Sequence, residues 1–226
     1  STRVRSSAAS DVYKRQTYGR ISQSEILETV LQSDIEKIKV TLTNIDQSAF
    51  DRAVDIILQA RKIYVIGIRS CAPLANFLQF YLNFLFDNVI LVNTNCSSEI
   101  FEQLIRIGQE DAIIGISFPR YSQLTRKALS FSKKREAKVI TLTDSERSPM
   151  TEYSDCNLIA RSDMASIADS LVAPLSVINA LVVALCMKKQ KEMRRTLAFL
   201  EEIWDENQVY GNDEIEEETT LGIGEK

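Results

Sequence analysis

"AIIGISFPRYSQLT", residues 112–125, decides the fold. An apolar run from Ala112 to Ile116 stops at Ser117 and gives way to Phe-Pro-Arg-Tyr-Ser before a helical pattern begins. The run is continuous rather than alternating, as expected for a strand covered on both faces. Four similar runs lie on either side of it, at 63–66, 89–92, 138–142 and 157–160. Helical patterns separate the first four. Leu74, Phe77, Leu78, Tyr81, Leu82 and Leu85 keep 3/4 spacing, residues 122–134 supply another helix, and a stretch opening at Ser148-Pro149 supplies a third. Pro149 suits a first helical position, where its missing N–H is not needed. Strand–helix alternation predicts an α/β fold with a five-stranded, doubly wound parallel sheet, flanked by N- and C-terminal helices.

On the N-terminal side, Ser22-x-x-Glu25 reads as a capping box that opens a helix. Its apolar stripe is Ile26, Leu27, Val30, Leu31, Ile35, Ile38 and Leu42. A second helix starts at Asp46 and carries Phe50, Val54, Ile57 and Leu58. On the C-terminal side the pattern is helical from 166 to 204.

The helix at 74–86 is apolar beyond one face. Asn76, Gln79 and Asn83 form a narrow polar stripe, while Phe80, Phe84 and Phe86 widen the rest. Covering one side of a sheet needs an apolar arc of only about 100°. The surplus predicts a homodimer or higher homo-oligomer packed through this helix; burial by terminal helices of the same chain would produce the same pattern.

With 226 residues and 45% hydrophobic content, the chain can build one substantial core. It contains no histidine, which excludes Ser-His-Asp and Cys-His nucleophiles and histidine metal sites. Its four cysteines, Cys71, Cys96, Cys156 and Cys186, form no C-x-x-C pair and read as free thiols in a reducing compartment. No metal and no cofactor is expected. The net charge of −4 is unevenly placed: residues 205–226 hold eight acidic residues against one lysine, and residues 1–20 hold five basic residues against Asp11. The body of the chain is therefore nearly neutral and offers no nucleic-acid surface. No secretory signal is visible, and the longest apolar run, 171–187, is shorter than the roughly 20 residues of a span. It is also interrupted by Pro174, Ser176 and Asn179. A cytoplasmic location with no membrane partner is expected.

The leader "STRVRSSAASDVYKRQ" has no periodicity, and its SSAASDVYKRQ portion is similar to translated adaptor sequence. The expected organisation is a non-native or disordered leader at 1–16, linker helices at 17–60, one domain at 61–206 and an acidic disordered tail at 207–226.

Ligands of open parallel sheets bind outside the carboxyl ends of the strands, where strand order reverses. In the order 2-1-3-4-5 the loops after the first and third strands share that place. The first, "IGIRSCAPLA" at 66–75, holds Gly67 and Ser70; the second, "ISFPRYSQLT" at 116–125, holds Ser117, Arg120, Ser122 and Thr125. Small hydroxyls and backbone N–H groups at a helix start suit an anion, and an arginine adds a charge-assisted contact. Ser122 as a plain helix cap and Arg120 as a solvated side chain are the simpler readings of the second loop alone. "GIRSCA" matches neither G-x-G-x-x-G nor a Walker loop, and no G-K-[ST] occurs.

"IYVIGIRSCAPLANFL", followed by "DAIIGISFPRYSQLTRKALSFSKKREAKVITLTDSERSPMTEYSD", resembles a SIS (sugar isomerase) domain. Together with "ARSDMASIADSLVAPLSVINAL", it resembles the ligand-sensing half of RpiR/MurR-type transcriptional regulators across residues 22–206. The resemblance implies a dimer that binds a phosphosugar at the two loops, with Ser70, Ser117 and Ser122 at matching family positions; the full expected ligand-binding set is Gly67, Arg69, Ser70, Ser117, Arg120, Ser122 and Thr125. Ser122 stands at the threonine of the family's S-x-S-G-x-T motif, Pro119 at its second serine and Arg120 at its glycine. The resemblance also implies a helix-turn-helix domain preceding this segment, so DNA would be bound only through that missing part. Two other functions fit the fold. An aldose–ketose phosphosugar isomerase would need a carboxylate base, for which Glu99 and Asp169 are the nearest candidates, each also explained as a first-turn helix residue. A structural dimerisation module would use the loops only as caps.

Overall fold

The computed structural model describes residues 24–94, 96–162, 169–207 and 209. Ser22, the leader and nearly all of the acidic tail lie outside these. Two helices, α1 (Ile26–Asn44) and α2 (Gln47–Gln59), precede the sheet, and Asp46 caps α2 by accepting the Ser48 N–H at 2.8 Å. The sheet consists of β1 (Ile63–Gly67), β2 (Val89–Val92), β3 (Ala112–Ile116), β4 (Lys138–Thr143) and β5 (Cys156–Ile159). All neighbours pair in parallel, in the order β2-β1-β3-β4-β5. Each predicted strand is present to within a residue at either end.

Alternate side chains of β1 to β4 enter two cores, while β5 contributes to one. Ile63 and Val65 of β1, with Ile114 and Ile116 of β3, pack beneath α2, α3 (Ala72–Leu82) and α6 (Val172–Lys188). Tyr64, Ile66 and Ile113 face α4 (Ser97–Leu104) and α5 (Gln123–Lys134). The continuous apolar strands of the sequence are therefore explained by helices on both faces.

One helical expectation is corrected and two are made more definite. The segment opening at Ser148-Pro149 is not an α-helix. Ser148 Oγ accepts from Thr143 at 2.9 Å and from the Met150 N–H at 3.2 Å, and Met150 is fully buried, so the chain turns back onto β4. Only a short 3₁₀ turn, Thr151–Tyr153, follows. The helical region expected over 166–204 is two helices, α6 and α7 (Gln190–Glu206), meeting at 99°. The joint is Lys189, whose Nζ donates to the Leu85 carbonyl at 2.9 Å and lies 4.5 Å from the Phe86 ring centroid. Finally, α4 fills the connection between β2 and β3 by burying Ile100 and Leu104. No single helix among the described residues is long and apolar enough to cross a membrane.

The wide apolar surface of the 74–86 segment is largely absorbed within the chain. Phe77, Tyr81 and Phe86 pack against the core, whereas Phe80 stays 56% exposed, edge-on to Tyr81 and Phe84.

At the opposite end of the sheet from the carboxyl-end loops, Asp111 is buried ahead of β3. Its Oδ2 accepts from the Gly108 N–H and from Arg61 Nη2, each at 2.9 Å. Asp111→Ala is expected to lower stability by about 2 kcal/mol in urea denaturation, because the charged acceptor of two hydrogen bonds is lost. Arg61→Ala should cost less, since that side chain is half-exposed and its ion pair is screened.

Candidate functional site

β1 ends at Gly67, and the chain then turns through Arg69–Cys71, a 3₁₀ turn leading into α3. A Cβ on Gly67 would lie 2.6 Å from the Cys71 carbonyl oxygen, so only glycine lets the turn fold this closely over the strand end. Arg69 adopts φ 59°, a left-handed backbone that residues other than glycine rarely occupy.

β3 ends one residue before Ser117, whose N–H donates to the Leu142 carbonyl at 3.1 Å. The Ser117 hydroxyl is buried and accepts the Ser122 N–H at 3.1 Å, closing the loop upon itself. The Ser122 hydroxyl caps α5 by accepting the Thr125 N–H at 3.2 Å. Because a hydroxyl is also a donor, both serines keep a proton for a further acceptor. Between them Arg120 adopts φ 65°. Tyr121 donates to Asp144 Oδ1 at 2.8 Å; burial and that carboxylate push its phenol up to about 12, so it stays a neutral donor.

The β1–β3 register sets Gly67 beside Ile116, so the two loops leave the sheet as neighbours. With Asp169, which precedes α6, they enclose a cleft of about 960 Å³. That is at the upper end of the size range of small-molecule sites, roughly 300–1,000 Å³. Arg69, Ser70, Ser117, Arg120 and Ser122 all line it.

Two predicted residues do not. Gly67 ends β1 beneath the turn and serves close packing there. Thr125 is completely buried on the inner face of α5, and its Oγ1 has no hydrogen-bond partner among the described residues. Its place three residues after the cap gave it to the first turn but could not tell which way it points. Glu99 accepts a hydrogen bond from Thr94 and is not part of the lining. Cys71 does line the cleft, but burial first, and then the nearby Asp169 charge, raise its thiol and make it a poor nucleophile.

Asp169 itself was singled out in sequence only as a possible base or helix residue. It is the single carboxylate lining the cleft among the described residues, set about fifty residues beyond the second loop by a return of the chain that no local spacing signals. Two guanidinium groups, several hydroxyls and the backbone of two tight turns thus converge on one cavity, with one acidic side chain in its wall. Such a lining offers the donors that suit an anion. No group of three histidine, cysteine, aspartate or glutamate side chains suited to a metal occurs among the described residues.

The SIS domain profile matches residues 56–184, more than half of the chain, and the chain belongs to the SIS domain family. An HTH-type transcriptional regulator from Haemophilus influenzae is 26% identical over 171 residues, which is 74% of this chain and 57% of the relative. A second such regulator, from Clostridium perfringens, is 24% identical, with 48% of its length covered. The chain thus spans about half the length of the curated relatives it matches. Among solved structures, the sugar isomerase domain of an RpiR transcription factor from Sphaerobacter thermophilus superposes with a TM-score of 0.75 at 26% identity, covering 79% of this chain and 99% of that one. The NanR protein of Vibrio vulnificus, solved in complex with ManNAc-6P, has the same fold, with a TM-score of 0.72 at 20% identity over 90% of this chain and 76% of that one. Phosphosugar isomerases share the fold as well: phosphoheptose isomerase from Neisseria gonorrhoeae gives a TM-score of 0.62 at 16% identity, over 73% of this chain and 99% of that one.

Arg120 occupies a backbone conformation that glycine adopts without strain. Arg120→Gly is expected to raise stability by up to about 1 kcal/mol, the left-handed penalty less the added chain entropy of glycine. Thermal melting with and without inorganic phosphate checks this; the same substitution should weaken stabilisation by phosphate. Ser122→Ala should cost about 1 kcal/mol through loss of the cap alone.

Proposed function

We propose that this chain is the phosphosugar-sensing effector part of an RpiR-type transcriptional regulator, a cytoplasmic binding protein rather than an enzyme. The observation that carries this reading is the cleft where the β1 and β3 loops meet, lined by Ser70, Ser117, Ser122, Arg69 and Arg120. Serine hydroxyls, turn N–H groups and guanidinium groups are the donors that hold a phosphate monoester. The likeness to HTH-type regulators and to an RpiR sugar isomerase domain supports the regulatory half of the proposal. DNA binding belongs to a helix-turn-helix portion of the full protein.

A sensor must connect its ligand to something that moves. The segment carrying Asp169 is hydrogen-bonded to α1 in two places: Ser170 Oγ donates to Asp34 Oδ1 at 2.6 Å, and the Arg161 N–H donates to Thr41 Oγ1 at 2.8 Å. Asp34 is held in turn by the buried Lys37 at 3.2 Å. A ligand that prefers one position of this segment would shift α1, and only through such differential affinity would it bias the attached parts. A homodimer completes the reading, with the exposed Phe80 and the apolar side of α1, including Leu27, Leu31 and Leu42, available to a second copy.

An aldose–ketose isomerase remains the second reading, favoured by one observation: Asp169 sits in the cleft, where a base would have to be. Calorimetry of this chain against hexose, pentose and amino-sugar phosphates, paired with turnover assays on the same compounds, separates the two. Binding without turnover is expected. Turnover that disappears in Asp169→Asn would make the protein an enzyme, and failure of every phosphosugar to bind would leave only a dimerisation module. Ser117→Ala, which removes a hydroxyl from the cleft wall, should weaken the best binder by about tenfold, the size of one lost hydrogen bond to a charged group.

A further inference from the structure

Asp169 is unusual among the residues of the cleft. Its Oδ1 is shielded from solvent and has no hydrogen-bond partner among the described residues. A buried carboxylate oxygen left in this state is costly, and native proteins keep few of them. Nor is its position incidental. The next residue, Ser170, is fixed on both sides, by its hydroxyl to Asp34 at 2.6 Å and by its carbonyl, which accepts from Ser162 Oγ at 3.1 Å. Asp169 is therefore held against the cleft.

Among the described residues, the charged side chains lining the cleft are Arg69, Arg120 and Asp169. The two arginines belong to the turns after β1 and β3, whereas Asp169 comes from a different wall, the segment entering α6. A phosphate dianion is drawn to the arginine turns and repelled by Asp169, which orients the ester with its sugar end toward the aspartate. An ionised carboxylate can only accept hydrogen bonds. The group it meets must then donate, as a sugar hydroxyl or an ammonium does. A second carboxylate on the ligand would set like charges together in a shielded site.

We propose that Asp169 fixes the ligand class: phosphate esters of neutral or amino sugars are accepted, and phosphorylated sugar acids are rejected. The inference rests on the phosphosugar-binding reading above and adds the chemistry of the sugar end to it.

The test is calorimetry of the full chain and its Asp169→Asn and Asp169→Glu variants with five probes: inorganic phosphate, ribose 5-phosphate, glucose 6-phosphate, glucosamine 6-phosphate and 6-phosphogluconate. Glucose 6-phosphate and 6-phosphogluconate differ at one carbon, an aldehyde-level carbon against a carboxylate. For the unaltered chain, the best of the neutral or amino-sugar esters should bind at least about tenfold tighter than 6-phosphogluconate, the scale of one charge-assisted contact. Asp169→Asn should narrow that gap to within about threefold, by weakening the former and tightening the latter, while inorganic phosphate still binds. Asp169→Glu, which keeps the charge, should keep the rejection; it also serves as the control for folding. If 6-phosphogluconate binds as well as the neutral esters, or if Asp169→Asn keeps the full gap, the assignment is overturned while the phosphate site stands. Binding of inorganic phosphate alone would overturn it in the same way. If neither phosphate nor any ester binds, the phosphosugar reading itself fails and the assignment falls with it.

Discussion

The pairing of β1 with β3 is the constraint on which the remainder depends. Their carboxyl ends are forty-nine residues apart in the chain, yet Gly67 lies beside Ile116 in a parallel register. Parallel neighbours point their carboxyl ends the same way, so both following loops must emerge from one edge of the sheet. Because β2 lies on the far side of β1 and β4 on the far side of β3, helices leave in opposite directions at this place and open a crevice. The loops then narrow it. Gly67 allows the Arg69–Cys71 turn to press onto the strand end, and Ser117 is tied both to β4 through Leu142 and to its own loop through Ser122.

The two loops share a feature that their sequences conceal. Each holds an arginine in the left-handed region, Arg69 at φ 59° and Arg120 at φ 65°. For a residue with a side chain this conformation carries strain of about 1–2 kcal/mol. Backbone strain of this kind gathers where function over-determines the structure. A turn that needs φ above zero usually takes glycine, and the SIS resemblance places a glycine at the position of Arg120. Here the turn is kept, and a guanidinium is added at its tip. The cleft acquires cationic side chains in exchange for local strain, a trade intelligible in a site for anions.

The cleft is also mechanically connected. Asp169 in its wall is one residue from Ser170, which is bonded to α1 through Asp34, while Arg161 is bonded to the same helix through Thr41. α1 rests mainly on α6 and leaves Leu27, Leu31 and Leu42 exposed, so few other contacts oppose its displacement. A lightly held helix tied to a cleft-lining segment can act as a lever in energetic terms: a small differential affinity at one end meets little resistance at the other.

The strands, the order of helices and most of the site loops were legible in the chain because they rest on local patterns. Five apolar runs, a capping serine before α5 and an aspartate before α2 each declare themselves within a few residues. Local pattern failed where a distant contact decided the matter. Pro149 looks like a helix start, but Ser148 is bonded back to Thr143 and no α-helix forms. The long C-terminal pattern shows no break at 189, but Lys189 is held by Leu85 and Phe86, and the chain turns by 99°.

The sequence by itself thus determined the fold class and the pair of loops that make the cleft, because periodicity and turn chemistry act between near neighbours. Only the tertiary structure decided which hydroxyls face the cavity. Thr125 and Ser122 are three residues apart, yet one is sealed under α5 and the other lines the cleft, a difference set by which side of α5 rests on the sheet. It also decided that Asp169 joins them. No spacing rule brings that carboxylate to the ends of β1 and β3; the return of the chain after β5, anchored on α1, does.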